Sequence, residues 1–263
     1  MSKKRIVFKV GTSTLCHAGK GLNFRNIEGL ARALADVKNA GNEVVLVSSG
    51  AIGAGVGRLN LPERPRELRL TQAVAAVGQC ELLHIFDKFF GEYGVTVGQI
   101  LLTKDDVERP AGRQNLLGTF ETLLSLGVIP IVNENDSVAF EEIESEHHVF
   151  GDNDTLSAIV ATLIGADMLV ILSDSDGLFD GDPRRDASAK LIPVVDEIDV
   201  RIEAMAGGAG SALGTGGMAT KVAAARIAVA AGIDVIVTHG ADPRNIYAAA
   251  AGENVGTLFR RRL

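Results

Sequence analysis

The feature that most constrains this chain is a repeated alternation of short apolar runs with helical stripes. The runs are 5–10 (RIVFKV), 43–47 (EVVLV), 97–102, 128–132 (VIPIV), 168–172 (MLVIL) and 234–237 (DVIV). Several are apolar at successive positions, so both faces of the strand need cover, which is the pattern of parallel strands enclosed by helices. Between them lie stretches with apolar residues at three- and four-residue spacing. These are 26–39 (Ile27, Leu30, Ala33, Leu34, Val37), 67–93, 113–126, 153–164, 217–231 and 243–250. The fold class that follows is α/β, a three-layer αβα sandwich around one mostly parallel open sheet. Residues 177–210, punctuated by Gly, Asp and Pro, read as a hairpin and loop excursion from the second half of that sheet. Residues 137–150 read as a hairpin-like acidic segment.

Composition removes several function classes. The chain has 33 acidic and 26 basic residues, a net charge of −7, so it lacks the broad basic footprint of a nucleic-acid binder. The tail Arg260-Arg261-Arg262 is too small to change that. Cys16 and Cys80 form no disulfide framework and suggest a reduced compartment. The opening apolar run stops at Lys9, so a secretory signal is not expected. The longest apolar stretch, 156–172, is broken by Gly165 and Asp167 and is short for a membrane span. A soluble, cytoplasmic chain with no membrane or nucleic-acid partner is expected.

In open parallel sheets, ligands sit beyond the carboxyl ends of the strands. In this chain those ends are uniformly small and polar: Gly11-Thr12, Ser48-Ser49-Gly50, Asn133-Glu134-Asn135-Asp136, Ser173-Asp174 and Thr238-His239-Gly240. They predict a single polar crevice. A P-loop is excluded, because the Gly19-Lys20 pair is followed by Gly21. The dinucleotide fingerprint comes close in 49–58, but Arg58 stands where its third glycine belongs, which disfavours hydride transfer. The glycines of this segment fit ligand approach or tight packing equally well.

Three further features point to phosphate chemistry. Gly214-Thr215-Gly216-Gly217-Met218-Ala219-Thr220-Lys221 places glycines before a helix and a lysine in its first turns. Free N–H groups and the helix dipole at such an end suit phosphate oxygens. Lys9 interrupts an apolar strand just before Gly11, and a lysine buried there requires an anion. Gly151-Asp152-Asn153-Asp154 opens a helix with more polar residues than one N-cap needs. His147-His148, among Glu141, Glu142, Glu144 and Glu146, has no third ligand at metal-like spacing, so no protein-held metal is expected.

Taken together, these segments resemble the amino acid kinase superfamily and, within it, the glutamate 5-kinase family. The match also includes Ala75-Ala76-Val77-Gly78-Gln79 and Ser173-Asp174-Ser175-Asp176-Gly177-Leu178. The motifs run in family order, ending near Val255-Gly256-Thr257-Leu258-Phe259. The pairing of Asn-Glu-Asn-Asp with Gly-Asp-Asn-Asp separates this family from acetylglutamate, carbamate, aspartate and UMP kinases.

The resemblance implies transfer of the ATP γ-phosphate to the γ-carboxylate of L-glutamate, the first step of proline biosynthesis, with Mg²⁺ carried on ATP. By the same resemblance, Lys9 and Lys221 sit beside the transferring group and Asp154 holds them. Ser49, Asp136 and Asn153 bind glutamate, with Asp152 nearby. Lys9, Gly11, Ser173, Asp174 and Thr215, Gly216, Gly217, Met218, Ala219, Thr220 and Lys221 line the nucleotide site. Residues 1–263 are read as one amino acid kinase domain, mainly glutamate-binding to about residue 165 and ATP-binding beyond, without the C-terminal PUA domain of many members. A homo-oligomer (dimer or tetramer) is expected. Proline is a candidate feedback inhibitor, although the segment between Asp136 and Gly151 is longer than the family pattern. Another small-acid or phosphate kinase of this fold, and a non-catalytic nucleotide or amino-acid sensor, are the alternatives.

Overall fold

A computed structural model describes residues 3–17, 21–138, 152–186, 188–207 and 217–261. In chain order the elements are β1 (Arg5–Val10), α1 (Thr12–Leu15), α2 (Phe24–Asn39), β2 (Glu43–Ser48), α3 (Ala51–Arg58) and α4 (Leu68–Glu92). Then come β3 (Val97–Leu102), α5 (Lys104–Glu108), α6 (Pro110–Ser125), β4 (Ile129–Glu134), α7 (Asn153–Leu163) and β5 (Met168–Ser173). The last are β6 (Val194–Val195), α8 (Val200–Ala206), α9 (Met218–Ala230), β7 (Asp234–His239), α10 (Arg244–Ala251) and β8 (Thr257–Phe259).

Among the described residues the strands form one eight-stranded sheet in the order β3-β4-β2-β1-β5-β7-β8-β6. Its first six strands run parallel; β8 turns back against β7, and β6 runs with β8. β1 sits centrally, with Lys9 paired to Val47 on β2 and Ile171 on β5. The two-residue period of a strand divides β1 between two cores. Ile6, Phe8 and Val10 pack into the layer of α2, α4 and α10, while Val7 joins the opposite layer with residues of α6, α7 and α9. Lys9 continues the Val7 face and therefore emerges beneath α7.

The α/β sandwich read from the sequence is the observed architecture, and several edges differ. β4 continues through Asn133 and Glu134, which pair with Leu101 and Leu102, and β7 continues to His239, opposite Ser173. Polar residues there look like loop in sequence, but the neighbouring strand supplies the ladder. The 177–210 stretch holds an antiparallel bridge between Phe179 and Leu191, together with β6 and α8. In the glycine-rich 49–58 stretch the structure shows a turn and tight packing. Gly50 adopts φ 100°, a left-handed turn between β2 and α3. Gly55 and Gly78 let α3 and α4 cross at backbone contact: a Cβ on Gly55 would strike the Val74 carbonyl, and one on Gly78 the Ala51 carbonyl.

Candidate active site

The first turn of α7 organises the crest of the sheet. Asp152 caps the helix, its carboxylate accepting from the Thr155 backbone N–H at 2.8 Å. That fixes the directions of the next two side chains, which an α-helix separates by about 100°. Asp154 points towards β1 and α9, and Asn153 towards the ends of β2 and β4.

Asp154 is 1% exposed, and Lys9 and Lys221 are 7% and 5% exposed. Lys9 Nζ lies 2.6 Å from Asp154 Oδ1 as an ion pair. Lys221 Nζ lies 3.3 Å from Oδ2, and the Thr220 hydroxyl 2.7 Å from the same oxygen. Burial pulls the Asp154 carboxyl upward. The charges of Lys9 and Lys221, with hydrogen bonds from Lys9 and Thr220, overrule it and hold the group below the ordinary carboxylate range. Buried charge of this kind persists only when paired, and here one carboxylate serves two ammonium groups.

Lys221 also faces a cleft of about 460 Å³ whose other walls include Ser173, Asp174, Met205, Gly217 and Met218. Gly217 caps α9 with no side-chain hydrogen bond among the described residues, and a helix N-terminus of this kind suits an anion. Gly11 begins the turn after β1, with Lys9 Nζ close by. Ala219 lies on the exposed side of α9. Gly151, Gly214, Thr215 and Gly216 lie outside the described residues, as do Glu141 to His148, Gly19-Lys20 and Arg262.

On the other side, Asn153 Nδ2 donates to Ser49 Oγ at 2.9 Å and to Asn133 Oδ1 at 3.0 Å. Asn133 is buried, and its Oδ1 also accepts from the Glu134 N–H. Gln79, buried on α4, donates to the Glu134 carbonyl at 3.2 Å and hydrogen-bonds Asp136. Burial pushes the Asp136 carboxyl up from its ordinary value against that hydrogen bond and the charge of Arg64. Burial also raises Asp152, against the Thr155 N–H and the charge of Lys9. Gln79 and Asn133 thus belong to the site although no role was read for them in sequence. The available signal was a lone amide within the apolar Ala75–Gly78 stretch and the asparagine that opens Asn-Glu-Asn-Asp.

Comparison with known proteins decides the family. The amino acid kinase family pattern matches residues 4–239. The chain belongs to the amino acid kinase family. Within it, the chain is 54% identical over 256 residues to a glutamate 5-kinase of Clostridium perfringens, covering 97% of this chain and 95% of that one. It is 52% identical over 263 residues to a glutamate 5-kinase of Listeria welshimeri, covering 99% and 94%. Two solved structures share the fold. UMP kinase of Bacillus anthracis aligns with a TM-score of 0.67 at 16% identity, covering 99% of this chain and 97% of that one. An isopentenyl phosphate kinase aligns with a TM-score of 0.69 at 14% identity, covering 97% and 99%. In this amino acid kinase, no helix among the described residues is long and apolar enough to cross a membrane. Among the same residues, no group of three or more His, Cys, Asp or Glu side chains is placed to hold a metal ion.

Proposed function

We propose that this chain transfers the γ-phosphoryl group of ATP to the γ-carboxylate of L-glutamate, giving L-glutamyl 5-phosphate, the first step of proline biosynthesis. The observation that carries the reading is the buried Lys9–Asp154–Lys221 cluster. It touches the β5–α9 cleft through Lys221 and the Ser49–Asn133 network through Asn153, the neighbour of Asp154.

The acceptor carboxylate, with a pKa of about 4.3, is ionised at neutral pH and needs no general base. Its oxygen attacks the γ-phosphorus as the bond to the bridging oxygen breaks, and ADP leaves with that electron pair. The difficulty is bringing two anions together and stabilising the charge in flight. Lys9 and Lys221 supply that stabilisation, and Asp154 orients them. Ser49, Asp136 and Asn153 hold glutamate with Asp152 nearby. Gly11, Ser173, Asp174 and the loop from Thr215 to Lys221 line the nucleotide site. On this reading the chain to about residue 165 serves mainly glutamate and the remainder mainly ATP. Mg²⁺ arrives on the ATP phosphates, where it neutralises charge. A cytoplasmic homo-oligomer, with proline as a candidate feedback inhibitor, completes the proposal.

The test is a coupled ADP-release assay with Mg-ATP and, separately, glutamate, N-acetylglutamate, aspartate, carbamate and UMP. ADP release that depends on glutamate is expected. Turnover with another acceptor alone, or with none, overturns the reading.

A further inference from the structure

Thr220 enters the sequence reading as one residue of the nucleotide loop, yet its hydroxyl is directed elsewhere. It lies 2.7 Å from Asp154 Oδ2 and 2.8 Å from the Gly217 carbonyl oxygen. A threonine hydroxyl has one proton to donate. Of two acceptors at nearly equal distance, an ionised carboxylate is the stronger, so the proton goes to Asp154. The same Oδ2 receives Lys221 Nζ at a longer 3.3 Å, and that ammonium is 3.4 Å from the Gly217 carbonyl. The short contacts to Asp154 therefore come from Lys9 and Thr220. The longer one belongs to Lys221, the lysine that lines the cleft.

This difference matters because Asp154, 1% exposed, has no water to fall back on. If Lys221 alone satisfied Oδ2, moving its ammonium towards a phosphoryl group would strand a buried acceptor and so pin the lysine. The Thr220 hydroxyl stays in place whichever way the lysine turns. We propose that Thr220 is a positioning residue for phosphoryl transfer: its hydroxyl fixes the Asp154 carboxylate and keeps Oδ2 satisfied, which frees Lys221 to follow the transferring group. This rests on the phosphotransfer reading above and assigns Thr220 to the carboxylate rather than to the nucleotide.

The experiment is steady-state kinetics, with ATP and glutamate each varied, on the wild-type chain and on Thr220→Val, Thr220→Ala and Thr220→Ser. Valine keeps the shape without the hydroxyl. Alanine also removes it, is well suited to a helix, and decides the matter if the valine variant does not fold. The two hydroxyl-free variants are expected to lose about 10- to 100-fold in kcat, with the ATP KM moving by less than about twofold. Thr220→Ser is expected to recover most of that loss. A kcat near wild type in the hydroxyl-free variants, a loss that falls on the ATP KM instead, or no recovery with serine overturns the role of Thr220. A wild-type chain without glutamate-dependent ADP release overturns the functional reading before any substitution is made, so the two failures are distinct.

Discussion

On one side of the first turn of α7, buried Asp154 meets two ammonium groups, one of which borders the cleft. On the other, half-buried Asn153 meets a hydroxyl and an amide oxygen. The two residues are adjacent in sequence, and on the proposed reading their environments divide the labour of the site. Desolvated charge is costly and acts strongly, which suits a group whose charge must be stabilised in transit. Neutral hydrogen bonds are individually weaker but demand particular geometry, which suits recognition of a small amino acid. A single helical turn, aimed by the Asp152 cap, lets one element address both tasks.

The sharpest way to break this contrast is Lys221→Ala. It should lower kcat by about 10²- to 10³-fold while leaving the glutamate KM nearly unchanged. The reverse pattern would move Lys221 out of the charged half. A smaller effect is expected from Asn153→Ala, which removes donors to Ser49 and Asn133: the glutamate KM should rise by about tenfold. An unchanged KM takes Asn153 out of glutamate recognition.

The smallest effect is a few-fold change with pH, and it separates the halves without mutation. Asp136 is raised by burial, so acidification protonates it ahead of an ordinary carboxyl, and the glutamate KM should climb while the fold is intact. Protonating Asp136 also relieves its burial cost, so this step does not destabilise the protein. Asp154 is lowered below its ordinary value of 3.8. Its stabilising contribution is fully present above that value and is lost only as pH falls through the lower folded one. Glutamate affinity should therefore fail first and folded stability second, as followed by kinetics and by thermal melting across the acid range. Asp136→Asn should flatten the first step. Simultaneous loss of both would remove the distinction.

The layered α/β fold was legible because β1, β2, β4, β5 and β7 carry apolar residues on both faces, a pattern with few other solutions. Lys9 was legible because a lysine inside such a strand is an anomaly that only an anion resolves. β6 and β8, at two and three residues, are too short to carry a period. Gln79 reaches the Glu134 carbonyl across 55 positions, and Thr220 reaches Asp154 across 66. No local signal encodes such meetings; they exist only once the sheet order is set. The glycines of α3 were ambiguous for the same reason, since the partner that requires Gly55 to be small is the Val74 carbonyl on another helix.

On the proposed reading, the α3–α4 crossing has a consequence for substrate size. Ser49 stands just before α3, and Gln79 directly follows Gly78, the glycine that abuts the Ala51 carbonyl. Ser49 leads to Asn153 and Gln79 to Asp136, so the two sides of the proposed amino-acid site meet at a point where no side chain stands. On the proposed reading the amino-acid side is gauged by an absence: a methyl group at Gly78 would strike the Ala51 carbonyl and pry its two sides apart.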